Sequence, residues 1–267
     1  MGGAAEPEVS RDKPRGRKVA APSFAKALSR SPASNNIVLR KHQIDRLKNH
    51  TGVRLIVAQA PAGFGKTTLL RQYCAWREGQ GASIAWLHLE AHYSDPSPFL
   101  RLLCEAITGA IPDGEPVVTL SETSSASIQD FLRCVRAVQQ DIVIVIDNFE
   151  QAAHPGMEAV IAQLVRVLPS GAQLCIGTRV IPAINLPRLQ LREQAVVVNV
   201  EGLRFRANET SEFFREFRDI SDSEVDRYQT ATAGWPARLP SIPPLSPSAP
   251  HPPPSLPPPS LPRDSLH

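Results

Sequence analysis

Ala60-Pro61-Ala62-Gly63-Phe64-Gly65-Lys66-Thr67-Thr68 lies between a β-rich run, Arg54 to Gln59 (RLIVAQ), and the segment Thr67 to Glu78, whose apolar residues recur at helical spacing. A glycine-rich turn that leaves a strand and opens a helix is a cradle for an anion. Gly63 and Gly65 can adopt backbone angles that turn amide N–H groups toward one centre, and the helix starting near Lys66 adds the positive end of its dipole. The stretch follows the pattern G-x-x-x-x-G-K-[ST] with one departure, Ala60 in place of the first glycine. Alanine is compatible with the cradle if it stays at negative φ at the strand end. Lys66 would then face the β- and γ-phosphates of a nucleotide, and the Thr67 hydroxyl would ligate the bridging Mg²⁺.

Outward from this loop, four more short β-rich runs follow: Ser83 to Leu89, Asp141 to Asp147, Ala172 to Thr178 and Ala195 to Val200. Between them Pro98 to Ile111, Ile128 to Gln140 and Met157 to Leu168 have the helical period. Strands that are nearly continuous in apolar residues and alternate with helices predict an α/β fold, a parallel sheet with helices on both faces. After Val200 the pattern turns wholly helical, around Glu209 to Arg218 and Asp222 to Ala233, which predicts a small helical appendage. The expected divisions are a leader over 1–36, a nucleotide-binding domain over 37–200, the start of a helical subdomain over 201–239 and a proline-rich tail over 240–267.

The run Ile142-Val143-Ile144-Val145-Ile146-Asp147 places its first acid at the carboxyl end of a strand, where ligands sit in open α/β sheets. Asp147 is the candidate for holding Mg²⁺ opposite Thr67. A water-orienting acid often stands next in such sites, but here the next residue is Asn148, which cannot act as a base. Glu150 is the alternative carrier of that role, and it reads equally as the opening of a solvated loop ending at Pro155. Slow hydrolysis is the expectation. Arg179, after Ile176-Gly177-Thr178, could reach a γ-phosphate as a sensor, or could pair with a surface acid.

Composition narrows the remaining classes. The 267 residues are 42% hydrophobic and 21% charged, enough to bury a core, and the net charge of +3 gives no nucleic-acid footprint. Cys74, Cys104, Cys134 and Cys175 lie far apart, with no Cys-x-x-Cys pair, and read as packed core thiols. The longest apolar stretch falls far short of the ~20 residues of a spanning helix. The basic residues Arg11, Lys13, Arg15, Arg17 and Lys18 are mixed with acids and prolines and precede no apolar region, so the leader reads as disordered. Repeated Pro-Pro units from Pro240 to Pro262 favour polyproline II. That tail reads either as a ligand for SH3-like partners or as a truncated or frame-shifted reading of a longer gene.

Several strings together resemble the nucleotide-binding module of the STAND class of P-loop ATPases, in particular the large LuxR-type bacterial transcriptional regulators. They are Val38-Leu39-Arg40 with Arg46-Leu47, Ala60 through Leu70, Ala85-Trp86-Leu87 with Asp95-Pro96, Ile146-Asp147-Asn148, Leu203-Arg204-Phe205 with Glu209, and Gly234-Trp235-Pro236-Ala237. The resemblance covers roughly residues 37 to 239. It implies an ASCE-type sheet related to that of AAA proteins, with the Arg179 strand inserted between the strands bearing the P-loop and Asp147. It implies ATP and ADP rather than GTP, Ala60 as a common variant, and Arg40 and Pro236 near the adenine. It further implies a cytoplasmic switch capable of self-association, in which bound ADP is sealed by later domains. DNA would be reached only through a helix-turn-helix domain that these residues do not contain. A P-loop kinase would need an arginine-bearing lid and an acceptor pocket, and Ala91 to Ser127 offers neither. A catalytically active P-loop ATPase or kinase and a non-functional truncated remnant remain the alternatives.

Overall fold

The computed structural model of the chain describes residues 37–90, 95–111, 125–215 and 217–241. The expectations for the leader and for the tail beyond Ser241 lie outside these residues, as do residues 91–94 and 112–124 of the stretch in which a kinase lid would fall. Two compact units are present, one through Leu203 and the other from Arg204.

The first unit is built on five parallel strands: β1 (Leu55–Gln59), β2 (Ser83–His88), β3 (Ile142–Asp147), β4 (Ala172–Thr178) and β5 (Ala195–Val198). Their spatial order is β2-β3-β4-β1-β5. β4 thus lies between β1, which feeds the P-loop, and β3, which ends in Asp147. This is the ASCE arrangement that the family resemblance implied.

Alternation along the strands decides which side chain meets which layer. Leu55 and Val57 of β1, Ile142, Ile144 and Ile146 of β3, and Leu174 and Ile176 of β4 share one buried core. That core is covered by Phe99 and Leu103 of α3 (Pro96–Gly109), Phe131 of α4 (Ile128–Ala137), and Ile161 and Leu164 of α5 (Pro155–Val167). The opposite parity of the same strands faces α2 (Lys66–Gly79). Its buried residues Lys66, Leu69, Leu70, Tyr73, Cys74 and Arg77 form one helical stripe. The Tyr73 hydroxyl donates to Gln173 Oε1 of β4 at 2.7 Å, and Arg77 reaches Asp141 just before β3 at 3.0 Å. Helices therefore cover both faces, and all four cysteines are buried.

Three of the boundaries that differ from the sequence reading have a local cause. α3 begins at Pro96 rather than Pro98, because Asp95 caps the Ser97 N–H and the first proline occupies the opening turn. α4 stops at Ala137 because Val138 is extended, three residues before the expected end at Gln140. β5 ends at Val198, not Val200: the Asn199 side chain accepts from Gly202 N–H and starts the turn α7 (Val200–Leu203). Sequence reading missed α1 (Lys41–Lys48), which buries only Gln43, Ile44 and Leu47, and the short α6 (Leu186–Leu191).

In the second unit α8 (Ala207–Arg215) and α9 (Asp222–Thr232) pack through Phe214 and Tyr228, whose rings lie 4.5 Å apart. Ser221 and Glu224 form a capping box at the start of α9. Two strings quoted above meet here, since Phe205 N–H donates to Gly234 O at 2.8 Å. Pro236 opens the 3₁₀ segment Pro236–Ser241 of this unit.

Candidate nucleotide and cation site

The register of the sheet generates the site. His88 of β2 pairs with Asp147 of β3, and Ala58 of β1 pairs with Gly177 of β4, while Ile146 pairs with Ile176. Asp147 and Gly177 therefore stand side by side, and Ala58, Gly177, Asp147 and His88 form one row on the α2 face at the carboxyl edge. Gly177, with no side chain, leaves room beside the Asp147 carboxylate in the middle of the row. The first residues of α2 lie over it.

The P-loop enters this row from β1. Ala60 N–H donates to Thr178 O at 3.2 Å, and Ala60 is fully buried. Among the described non-glycine residues, positive φ occurs at Asn148, Asn185, Glu193 and Ala233 and not at Ala60, so alanine sits there without strain. Pro61, Ala62 and Gly63 are exposed, while Phe64 is buried against the protein. Gly63 and Gly65 take φ of 79° and 80°, the left-handed geometry the cradle requires. Gly65 accepts the first helical bond, from Leu69, and Lys66-Thr67-Thr68 form the first turn of α2.

Lys66 is 8% exposed, and its Nζ donates to Ala60 O at 2.8 Å and Pro61 O at 3.1 Å, carbonyls of its own loop. Burial lowers its pKa; Glu150 acts against this, Arg179 with it, and Asp147 against it. A phosphate would supply the anionic partner that such a buried ammonium favours. The Thr67 hydroxyl donates to Asp147 Oδ2 at 2.9 Å and lies 3.2 Å from Oδ1. Hydroxyl and carboxylate are hard oxygen donors in contact at the end of the cradle, a set that suits Mg²⁺.

The remaining candidates fall into two groups. Glu150, in the 3₁₀ turn Phe149–Gln151, pairs with Arg179: Oε1 lies 2.8 Å from Arg179 Nε, and Oε2 accepts the Arg179 N–H at 3.1 Å. Arg40 is 1% exposed and donates through Nη2 to Leu203 O at 2.6 Å, and a Cβ on Gly65 would lie 3.6 Å from its Nη1. Arg40 thus stands beside the P-loop. The Gln72 amide bonds both Val38 O and Arg40 N–H at 2.9 Å, which fixes the Val38-Leu39-Arg40 string against α2. Pro236 belongs to the second unit.

His88 escaped sequence reading. Its Nδ1 lies 3.3 Å from Asp147 Oδ2 and its Nε2 lies 3.2 Å from Asn148 Nδ2. The available signal was parity: Ile84, Trp86 and His88 share a face, as do Val143, Val145 and Asp147. Only the register joins the two.

No family model matches the chain. Among curated proteins it is similar to the HTH-type transcriptional regulator MalT of Cronobacter sakazakii, 26% identical over 221 residues. It is likewise similar to MalT of Vibrio cholerae, at 22% over 222 residues, and of Klebsiella pneumoniae, at 26% over 221. Each alignment covers 79% of this chain and 24% of the relative, so the chain spans about a quarter of the length of these relatives. Among solved structures it is similar to the Aeropyrum pernix ORC1 protein in complex with DNA, with a TM-score of 0.45, 17% identity and coverage of 78% of this chain and 60% of the other. Drosophila ORC bound to DNA aligns with a TM-score of 0.48, 10% identity and coverage of 88% and 62%. The fold is defined by its own strand order, and over most of its length the chain is similar to part of the MalT-type transcriptional regulators, in agreement with the strings from Val38 to Ala237.

Proposed function

We propose that the chain is an ATP-binding regulatory switch, a portion of a LuxR-type regulator that hydrolyses ATP slowly or not at all. The observation that carries this reading is the joint placement of Lys66, Thr67 and Asp147 under a loop with two left-handed glycines. Residues Ala60 to Thr68 would hold the phosphates, Thr67 and Asp147 the Mg²⁺, and Arg40 would approach the adenine. Bound Mg²⁺ would offset the phosphate charge. The protein's own residues would bind and orient the nucleotide. Location in the cytoplasm, self-association and action at a promoter through a separate DNA-binding domain belong to the same proposal.

Slow turnover follows from what the two possible water-orienting groups are doing. The Asn148 side chain faces His88, and Glu150 is engaged by Arg179. Asn148 has φ of 60°, a conformation that aspartate also tolerates, so Asn148→Asp should fold and introduce an acid beside Asp147. We expect it to raise ATP turnover by about tenfold or more, a part of the roughly 10²–10⁴-fold typical of a well-positioned base, while Glu150→Gln leaves the basal rate unchanged. Loss of turnover in Glu150→Gln with no gain in Asn148→Asp would move the role to Glu150 and favour an active ATPase. The proposal as a whole is tested by equilibrium binding of labelled ATP and ADP, with and without Mg²⁺. Absence of binding by the folded protein would overturn it.

A further inference from the structure

We propose that His88 is a positioning residue that holds Asp147 in the orientation needed for Mg²⁺, an inference that rests on the nucleotide reading above. His88 ends β2 as the register partner of Asp147, on the face that meets α2. With the Asn148 amide nitrogen turned toward it at 3.2 Å, Nε2 is the acceptor. The ring proton then sits on Nδ1, directed at Asp147 Oδ2 3.3 Å away. Asn148, His88 and Asp147 thus form one directional chain of donors ending on the carboxylate.

Asp147 requires such support because it is fully buried. A buried carboxylate is costly unless donors surround it. Its Oδ1 accepts the Asn148 N–H at 3.1 Å, and Oδ2 is shared between the Thr67 hydroxyl at 2.9 Å and His88. Thr67 is itself a candidate cation ligand, so its bond to Asp147 cannot be the one that fixes the carboxylate when a cation is present. His88 and the Asn148 backbone N–H are the donors outside the cation's own ligand set. The side chain of His88 is 47% exposed, so replacing it disturbs little of the core.

Substitutions that mimic one ring nitrogen at a time test the inference on the whole chain. His88→Asn places an amide N–H near the position of Nδ1, His88→Gln places one near Nε2, and His88→Ala places neither. The quantity read is the gain in ATP affinity on adding Mg²⁺, together with direct binding of Mn²⁺ in the presence of ATP followed by electron paramagnetic resonance. His88→Ala and His88→Gln should lose about three- to tenfold of that gain, the scale of one ordinary net hydrogen bond, as suits a 3.3 Å contact from a half-exposed ring, while His88→Asn stays within about twofold of the unmodified protein. ATP affinity without metal should be the same in all four proteins. Equal losses in His88→Asn and His88→Gln, an unchanged metal dependence in all variants, or an equal loss with and without Mg²⁺ would each overturn the role of His88. Failure of the unmodified protein to bind ATP would instead overturn the nucleotide reading itself.

Discussion

Lys66→Ala is expected to weaken ATP binding at least tenfold, about 1.4 kcal/mol, and to do so whether or not Mg²⁺ is present. Lys66 is the one residue of the P-loop that brings a full positive charge into the cradle. In the protein alone that charge is buried against Ala60 O and Pro61 O, which satisfy its protons but do not neutralise it. Burial accordingly lowers its pKa, with Glu150 and Asp147 opposing the shift. A phosphate arriving at the loop would find an ammonium already desolvated, which makes the attraction stronger than at an exposed site. Alanine removes the charge without harming the helix it begins, since alanine is the best helix former. The fold should therefore survive, and circular dichroism checks it. Unchanged ATP affinity in a normally folded Lys66→Ala protein would defeat the assignment of the phosphate site.

The fold was legible because its central strands are nearly pure in apolar residues. Ile142 to Ile146, five β-branched residues between Asp141 and Asp147, reads as a strand buried on both faces, and the turn from Ala60 to Thr67 reads as the exit from another. Asp147 was legible for the same reason, as the first acid after that run. What the sequence did not disclose depends on register and on local bonds. His88 looks like an ordinary strand-end histidine until β2 is aligned with β3. Asn148 was read by chemistry alone, as a residue that cannot take a proton. In the structure it also occupies a left-handed backbone position and bonds both Asp147 and His88. For Arg179 the sequence left two readings open, and the structure places its guanidinium on Glu150, 2.8 Å away. The helix α1 was missed because too few of its eight residues are apolar to make a periodic signal.

Gly177→Ala should have the second large effect, and the reason is steric. A Cβ on Gly177 would lie 2.6 Å from Asp147 Oδ1 and 3.2 Å from Leu70 Cδ1. Neither neighbour gives way easily. Asp147 is buried and held by Thr67, His88 and the Asn148 N–H, while Leu70 is buried on α2 beneath the P-loop. Either the carboxylate turns away from Thr67, or α2 lifts from β4 and carries the P-loop with it. Overpacking of this kind costs about 1–3 kcal/mol, so a melting temperature lower by several degrees should accompany the change. The binding signature separates the two responses. Rotation of the carboxylate would remove about tenfold or more of the Mg²⁺-dependent gain in ATP affinity and leave metal-free binding intact, because Lys66 and the loop amides are untouched. Lifting of α2 would weaken both. We expect the first, since one side chain turns more cheaply than a packed helix moves. In an Asp147→Asn background the same glycine substitution should then remove little further metal dependence, as coupling between contacting residues requires. Full additivity of the two losses, or a Gly177→Ala protein with unaltered response to Mg²⁺, would show that the cation is held somewhere other than at Asp147.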